Sequence, residues 1–284
     1  MNSNAFKQFK NRMGQANHFL ITILIGLDAV DDGATKRPDF NTTWNPKDVH
    51  YSVARSRIYV INSALAWAVD NIDMYFRLCN KTPKLFTDEE SREMDKTGHS
   101  VYKKYEIIVK NHSQISAVAK AFLDLIICWR NKKVHFDADN ELSSNSLNFF
   151  KNIPSDENVV SKYHLDVSNM LDNFNKNQTP TFKEITTMIS MAIHFIYEID
   201  SILLKEVNQE EYLTTLLRRK FKENPQQINQ LFNYYSPTAE KTEKKLRQFL
   251  IMYGLQSDFY NEDGNSFIKE ISNKPFKEIV KKLI

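Results

Sequence analysis

Apolar residues recur every three or four positions over long stretches of this chain. Phe6, Phe9, Met13, Ala16, Leu20, Ile23, Leu27 and Val30 mark one face of a first helix, the spacing of a helix with one side turned to a core. Ile58, Ile61, Leu65, Ala68, Ile72, Tyr75 and Phe76 do the same for a second, from about His50 to Asn80, stopped by Pro83. Ile185, Ile189, Ala192, Phe195, Ile196, Ile199 and Leu203 define a third, reaching about Val207. Between the first two, Gly33, Pro38 and Pro46 break the pattern and predict a loop. Helix starts are readable too. Thr87 with Glu90, Thr181 with Glu184 and Asn208 with Glu211 have capping spacing, Ser113 predicts a cap for the central helix, and Ser236-Pro237 pairs a cap with a proline at the first helical position. Phe136–Pro154 is polar and predicts a loop with about one turn of helix; a modest helix follows over Val159–Phe174, and Phe267–Ile284 forms an amphipathic tail.

Six glycines and eight prolines are few for 284 residues. Scarce turn formers and long unbroken runs favour helices over many short strands, so the predicted class is all-α. The length allows one large domain or a domain with an appendage. A shift near Asn208 toward more charge and shorter helices predicts a helical domain over 1–207 and a C-terminal helical extension over 208–284.

The remaining totals exclude more than they assign. A net charge of +3 admits a nucleic-acid partner without requiring one. Cys79 and Cys128 have no C-x-x-C neighbour, which predicts reduced, packed cysteines and neither a disulfide nor a zinc site. Lys7, Lys10 and Arg12 precede the apolar run Phe19–Leu27, as in a signal peptide. The helical face nevertheless starts at Phe6, the run is too short to span a bilayer, and Asp28, Asp31 and Asp32 stand where a cleavage site would. The expectation is a cytoplasmic protein with no membrane partner and no cofactor. His135, Asp137, Asp139 and Glu141 alternate in the polar stretch but lack the glycine and spacing of a calcium loop. Arg218–Lys222 with Lys241, Lys244, Lys245 and Arg247 reads first as charged helix faces.

Chemistry concentrates at the end of the central helix, Ile115–His135, which closes in Arg130-Asn131-Lys132-Lys133-Val134-His135. Spacing alone is uninformative, since Arg12…His18 and Arg92…His99 share it. The Arg130 pair differs in that asparagine follows directly, a strongly apolar helix precedes it and a polar loop comes after. Ile115, Val118, Phe122, Leu125, Ile126 and Trp129 form a core face. Ala119, Leu123, Ile127 and Val134 form a second apolar strip that carries Arg130 and suits a twofold partner; Asp124, Asn131 and His135 share a polar side. Five residues apart, Arg130 and His135 point about 140° away from each other on an ideal helix. Either the helix unwinds before His135, or one copy's arginine works beside another's histidine. The same residues also make an ordinary polar helix end, with cations suited to the dipole.

Arg130-Asn131-x-x-x-His135 resembles the R-(N/D/H)-x(3–5)-H motif of the HEPN superfamily, helical proteins common among bacterial toxins and phage-defence ribonucleases. The match covers six residues. It implies a HEPN-like bundle, a homodimer that joins two motifs in one cleft, and metal-independent cleavage of RNA by attack of a ribose 2′-hydroxyl, as in abortive-infection effectors. Arg130, Asn131 and His135 are then the catalytic residues, with Lys132 and Lys133 attracting RNA phosphates. Asp137 stands where members inactivated by nucleotidylation have tyrosine, which argues against a nucleotidyltransferase antitoxin but not against another antitoxin or regulatory protein. The competing readings are a non-catalytic RNA- or nucleotide-binding module and a protein-interaction subunit.

Overall fold

A computed structural model describes residues 2–135, 140–154, 157–229, 231–232, 238–256 and 259–283. Among them there is no strand, and the chain is all-α. The helices are α1 (Asn4–Asp31), α2 (Val49–Cys79), α3 (Asp88–Asp95), α4 (Val101–Asn111), α5 (Ala117–Val134), α6 (Ser144–Lys151), α7 (Asn158–Tyr163), α8 (Val167–Asn175), α9 (Phe182–Glu206), α10 (Gln209–Glu223), α11 (Pro225–Asn229), α12 (Ala239–Met252), α13 (Glu262–Asn273) and α14 (Phe276–Leu283).

Local sequence sets most of the boundaries. Thr87 opens α3 with a complete capping box, accepting from Glu90 N while the Glu90 carboxylate accepts from Thr87 N. These bonds fill amide donors that a first turn leaves unpaired. Thr181 and Glu184 repeat the exchange at α9, and Asn208 accepts from Glu211 N at α10. Other starts differ from the prediction. The central helix is capped by Ser116, which accepts from Ala119 N, whereas the Ser113 carbonyl takes Lys120 Nζ. Thr238 caps α12, and Ser236 and Pro237 lie outside the described residues. The stretch predicted as a loop with about one turn of helix contains the eight-residue α6, about two turns, capped by Ser143. The helix predicted over Val159–Phe174 is two, broken at His164, whose φ of 48° cannot continue a right-handed helix.

The chain divides into two compact units. A terminal unit comprises Met1–Gln8, Met74–Gly98 and Tyr197–Ile284; a central unit comprises Phe9–Asp73 and His99–Ile196. α1, α2 and α9 each begin in one and end in the other. In the terminal unit α10 packs on α11, α13 and α14, and α12 on α13, with Leu213, Leu217, Leu246, Leu250 and Ile268 buried. Asp200 is buried there and accepts hydrogen bonds from Ser3 N at 2.7 Å, from Ser3 Oγ and from Tyr75 Oη at 3.0 Å, which ties the first residues of the chain to α9. Gly254 has φ 90°, and a Cβ there would come within 1.9 Å of Asn2 O, so only glycine fits.

In the central unit α5 is the core helix, buried continuously from Ala121 to Trp129. Phe122 meets Phe150 of α6 edge to face at 5.1 Å, and Tyr105 Oη of α4 donates to Lys120 O at 3.0 Å. Ala119, Leu123 and Ile127, the strip expected to face a partner copy, are covered by the chain itself; of that strip Val134 alone is exposed, at 51%. Periodicity marks which faces are apolar, not whose surface covers them. Asp124, expected on a polar face with Asn131 and His135, is fully buried too.

α1 and α2 run antiparallel in this unit. Arg12 stacks over Trp67 at 5.3 Å, Asp28 pairs with Arg57, and Asp31 with His50 at 2.5 Å. Phe9, Met13 and Leu20 of α1 and Leu65, Ala68 and Ile72 of α2 are buried as predicted, but no residue from Ile21 to Ser52 is. Ile23 and Ile58 continue the apolar pattern into water. Among the described residues two helices are long and apolar enough, by length and composition, to cross a membrane. The apolar part of α9 is mostly buried, whereas that of α1, which extends over eighteen residues and not only the nine of Phe19–Leu27, is mostly uncovered.

Candidate functional site

The last turn of α5 is held from α8 onward. Trp129 meets Phe174 edge to face at 5.6 Å and donates its indole N–H to Gln178 O at 2.9 Å. Lys132 Nζ lies 4.0 Å over the Phe174 ring, and Lys133 Nζ bonds Asn177 O. Burial pushes the Lys133 ammonium below its ordinary value. Both lysines of the expected rim are thus engaged by α8 and the turn after it. Asn131 is half-buried, and its carbonyl accepts from His135 N at 2.9 Å.

The helix ends at Val134, and His135 is its C-cap, with extended backbone at φ −110° and ψ 117°. That change swings the imidazole back along the helix, to 3.0 Å between His135 Nε2 and Arg130 Nη1. Unwinding is therefore what brings the two side chains together within one chain. A guanidinium only donates, so the imidazole accepts through the Nε2 lone pair and carries its proton on Nδ1.

Arg130 is half-buried beside α2. Burial pushes its guanidinium below the ordinary value, while the carboxylates of Asp70 and Asp73 push it back up. Its Nε is buried with no hydrogen-bond partner among the described residues. Asp73 also accepts from Lys104 Nζ of α4 at 2.5 Å, in a pair whose side chains are 16% and 7% exposed. Lys104, Asp73 and Arg130 thus alternate in charge from the core toward the imidazole. The sequence leaves Asp70 and Asp73 between cleft and solvent. Nothing in Lys103-Lys104 distinguishes the lysine that becomes buried.

The far side of the polar stretch is anchored on the same helix. Asp124 accepts from Ser143 N at 3.0 Å, and Cys128 Sγ lies 3.3 Å from Asp124 Oδ1 and 3.5 Å from Glu141 O. Burial and the Asp124 carboxylate push the Cys128 thiol far up, which makes it a packing group rather than a nucleophile. Asp137 and Asp139 lie outside the described residues. Among the described residues no group of three His, Cys, Asp or Glu side chains is arranged to hold a metal ion.

Comparison with known protein families, curated proteins and solved structures finds no match. The chemistry available at the end of α5 is what the side chains offer. A half-buried guanidinium can fork onto two phosphate oxygens, and an imidazole within hydrogen-bonding distance of it offers a ring nitrogen as base or acid to a hydroxyl held alongside.

Proposed function

We propose that this chain is a metal-independent endoribonuclease of the HEPN type, acting as a homodimer, in the role of a toxin or abortive-infection effector. The observation that carries the reading is the 3.0 Å approach of Arg130 Nη1 to His135 Nε2 at the end of the core helix. The biological role comes from the resemblance of the motif alone.

In this mechanism an RNA phosphate draws Arg130 away from the imidazole. The guanidinium turns its N–H fork to two non-bridging oxygens and freed Nε2 becomes the base. It takes the proton of the ribose 2′-hydroxyl as that oxygen attacks the adjacent phosphorus. The P–O5′ bond breaks, and the departing 5′ oxygen receives a proton from the imidazole of the second copy. The products are a 2′,3′-cyclic phosphate and a 5′-hydroxyl. Arg130 stabilises the charge that builds on the phosphoryl oxygens, and Asp70 and Asp73 favour its charged form in a half-buried place. Asn131 orients the imidazole or the phosphate, while Lys132 and Lys133 add positive potential alongside.

The test is cleavage of a defined RNA by the purified full chain with chelator present. Wild type is expected to cut and to leave cyclic phosphate ends. His135→Ala should lose about 100- to 10,000-fold and Arg130→Ala about 100- to 1,000-fold, both with unchanged helical circular dichroism. RNA bound without products points to the binding module instead, and a fully active His135→Ala overturns the mechanism.

A further inference from the structure

The first turns of α2 present flat side chains to solvent. Tyr51 and Tyr59 are 61% and 74% exposed. The exposed Arg55 lies between them, its guanidinium 5.7 Å from the centre of the Tyr51 ring. Each is four residues from the next, so the three stand about 6 Å apart along the axis and within about 80° around it. With Lys47, Ser52 and Ser56 they line an open groove of about 670 Å³. Asp48 lines it too, but its carboxylate accepts from Tyr51 N at 2.9 Å. Arg57, on another side of the helix, is taken by Asp28. Among the described residues neither Lys47 nor Arg55 is paired with a carboxylate.

Two rings with a guanidinium between them and a second cation at the edge are the parts that hold a single strand of nucleic acid. Every base offers a flat face to an aromatic ring, and a guanidinium plane stacks on bases as well. A duplex hides those faces in its own stack, and a lipid tail gains as much from an aliphatic side chain as from a ring. The row also leads to the candidate site. Asn62, on the same side of α2, has Nδ2 3.5 Å from Thr179 Oγ1. Next to Thr179 are Asn177 and Gln178, whose carbonyls hold Lys133 and Trp129 at the end of α5. Asp70 and Asp73 continue that side and act on Arg130. Tyr51 and Asp70 are nineteen residues apart, about 28 Å along the helix. A stacked strand, at about 3.4 Å per nucleotide, covers that distance in roughly eight nucleotides.

We propose that Tyr51, Arg55 and Tyr59 form a stacking platform for the bases of a single-stranded RNA that runs along α2 to Arg130 and His135. The proposal deepens the nuclease reading, on which it rests for the choice of RNA, by making the substrate unpaired over about eight nucleotides.

The probe is a labelled 2′-O-methyl RNA of about twelve nucleotides, longer than that span. It has no 2′-hydroxyl to attack, so fluorescence anisotropy reads binding to the intact full chain without cleavage. Tyr51→Leu and Tyr59→Leu keep an apolar side chain and remove the ring, and each should weaken binding about 5- to 100-fold. Tyr51→Phe and Tyr59→Phe keep the ring and should bind as wild type does. The same strand annealed to its complement should compete poorly. Both tyrosines are exposed, so helicity should hold in all four variants. A second readout needs no variant: a strand carrying 5-iodouridine should, on irradiation, become linked to Tyr51 or Tyr59, as located by peptide mass spectrometry. Leucine variants that bind like wild type overturn the proposal. So does a duplex that binds as tightly as the single strand, a cross-link found only elsewhere, or no binding at all. Wild type that cuts ordinary RNA while the leucine variants bind normally retains the nuclease reading and loses this one. Tyrosine-dependent binding by a chain that cuts nothing does the reverse.

Discussion

Asp200 and Arg130 are charged groups held away from water by different neighbours. Asp200 has three donors from Ser3 and Tyr75, yet burial outweighs them and raises its carboxyl from 3.8 to about 6. A raised carboxyl pKa means that the folded state holds the proton more tightly than the unfolded chain. Its contribution to stability is therefore greatest below the unfolded pKa and is lost as pH rises through 6. The shift corresponds to about 3 kcal/mol. Urea denaturation of wild type and Asp200→Asn should show the difference between them moving against wild type by about that amount from pH 4 to pH 7. A pH-independent difference would mean that Asp200 titrates normally. At this scale Arg130 and His135 were legible as letters, because an arginine–asparagine pair closing an apolar helix stands out from mere spacing. Their approach is legible only as one of two alternatives, unwinding before His135 or pairing between copies, since the choice depends on one C-cap residue leaving helical backbone. Lys104 and its pairing with Asp73 were not legible, because burial of one lysine of a pair is decided by what packs over α4.

Among the elements, α5 links core and site. Its buried Asp124 holds Ser143 N and faces Cys128, fixing the start of α6 to the helix that ends in His135. Asp124→Ala leaves a buried amide without an acceptor and opens a gap, for an expected loss of about 2–4 kcal/mol in chemical denaturation. Asp124→Asn keeps an oxygen for Ser143 N and should lose about half as much. Amide hydrogen exchange at Ser143 should quicken in the alanine variant and stay slow in the asparagine one. Equal losses in the two variants would count against the hydrogen bond as the cause. The long helices were readable from periodicity and their starts from reciprocal caps such as Thr181 with Glu184. α6 is readable only as about one turn, because a short polar segment extends to eight residues through its Ser143 cap and the burial of Phe150, and only the second of these lies beyond local sequence. The uncovered ends of α1 and α2 were misread for the opposite reason: an apolar stripe looks the same whether its cover is the chain itself or something else.

Over the whole molecule, the shift in composition at Asn208 and the packing suggest different places to cut. α9 ends at Glu206 and α10 starts at Gln209, so the junction read from the letters is there. Residues 197–207 nevertheless pack in the same compact unit as those after 208. Ile199, Leu203 and Leu204 are buried, as are Tyr212, Leu213 and Leu217 of α10 in that unit. Removing 208–284 would return the apolar side of this part of α9 to water, at roughly 1.5–3 kcal/mol for each large side chain, which approaches the whole stability of an ordinary domain. α1, α2 and α9 also run through both units without a break, and a continuous helix transmits fraying at one end to the residues beyond. The full chain is therefore expected to melt in one cooperative transition, and the fragment 1–207 to give a broad one with exposed apolar surface that binds a hydrophobic dye. A fragment 1–207 that melts as sharply as the full chain would place an independent domain before Asn208, and two resolved transitions in the full chain would show that the shared helices do not couple the units.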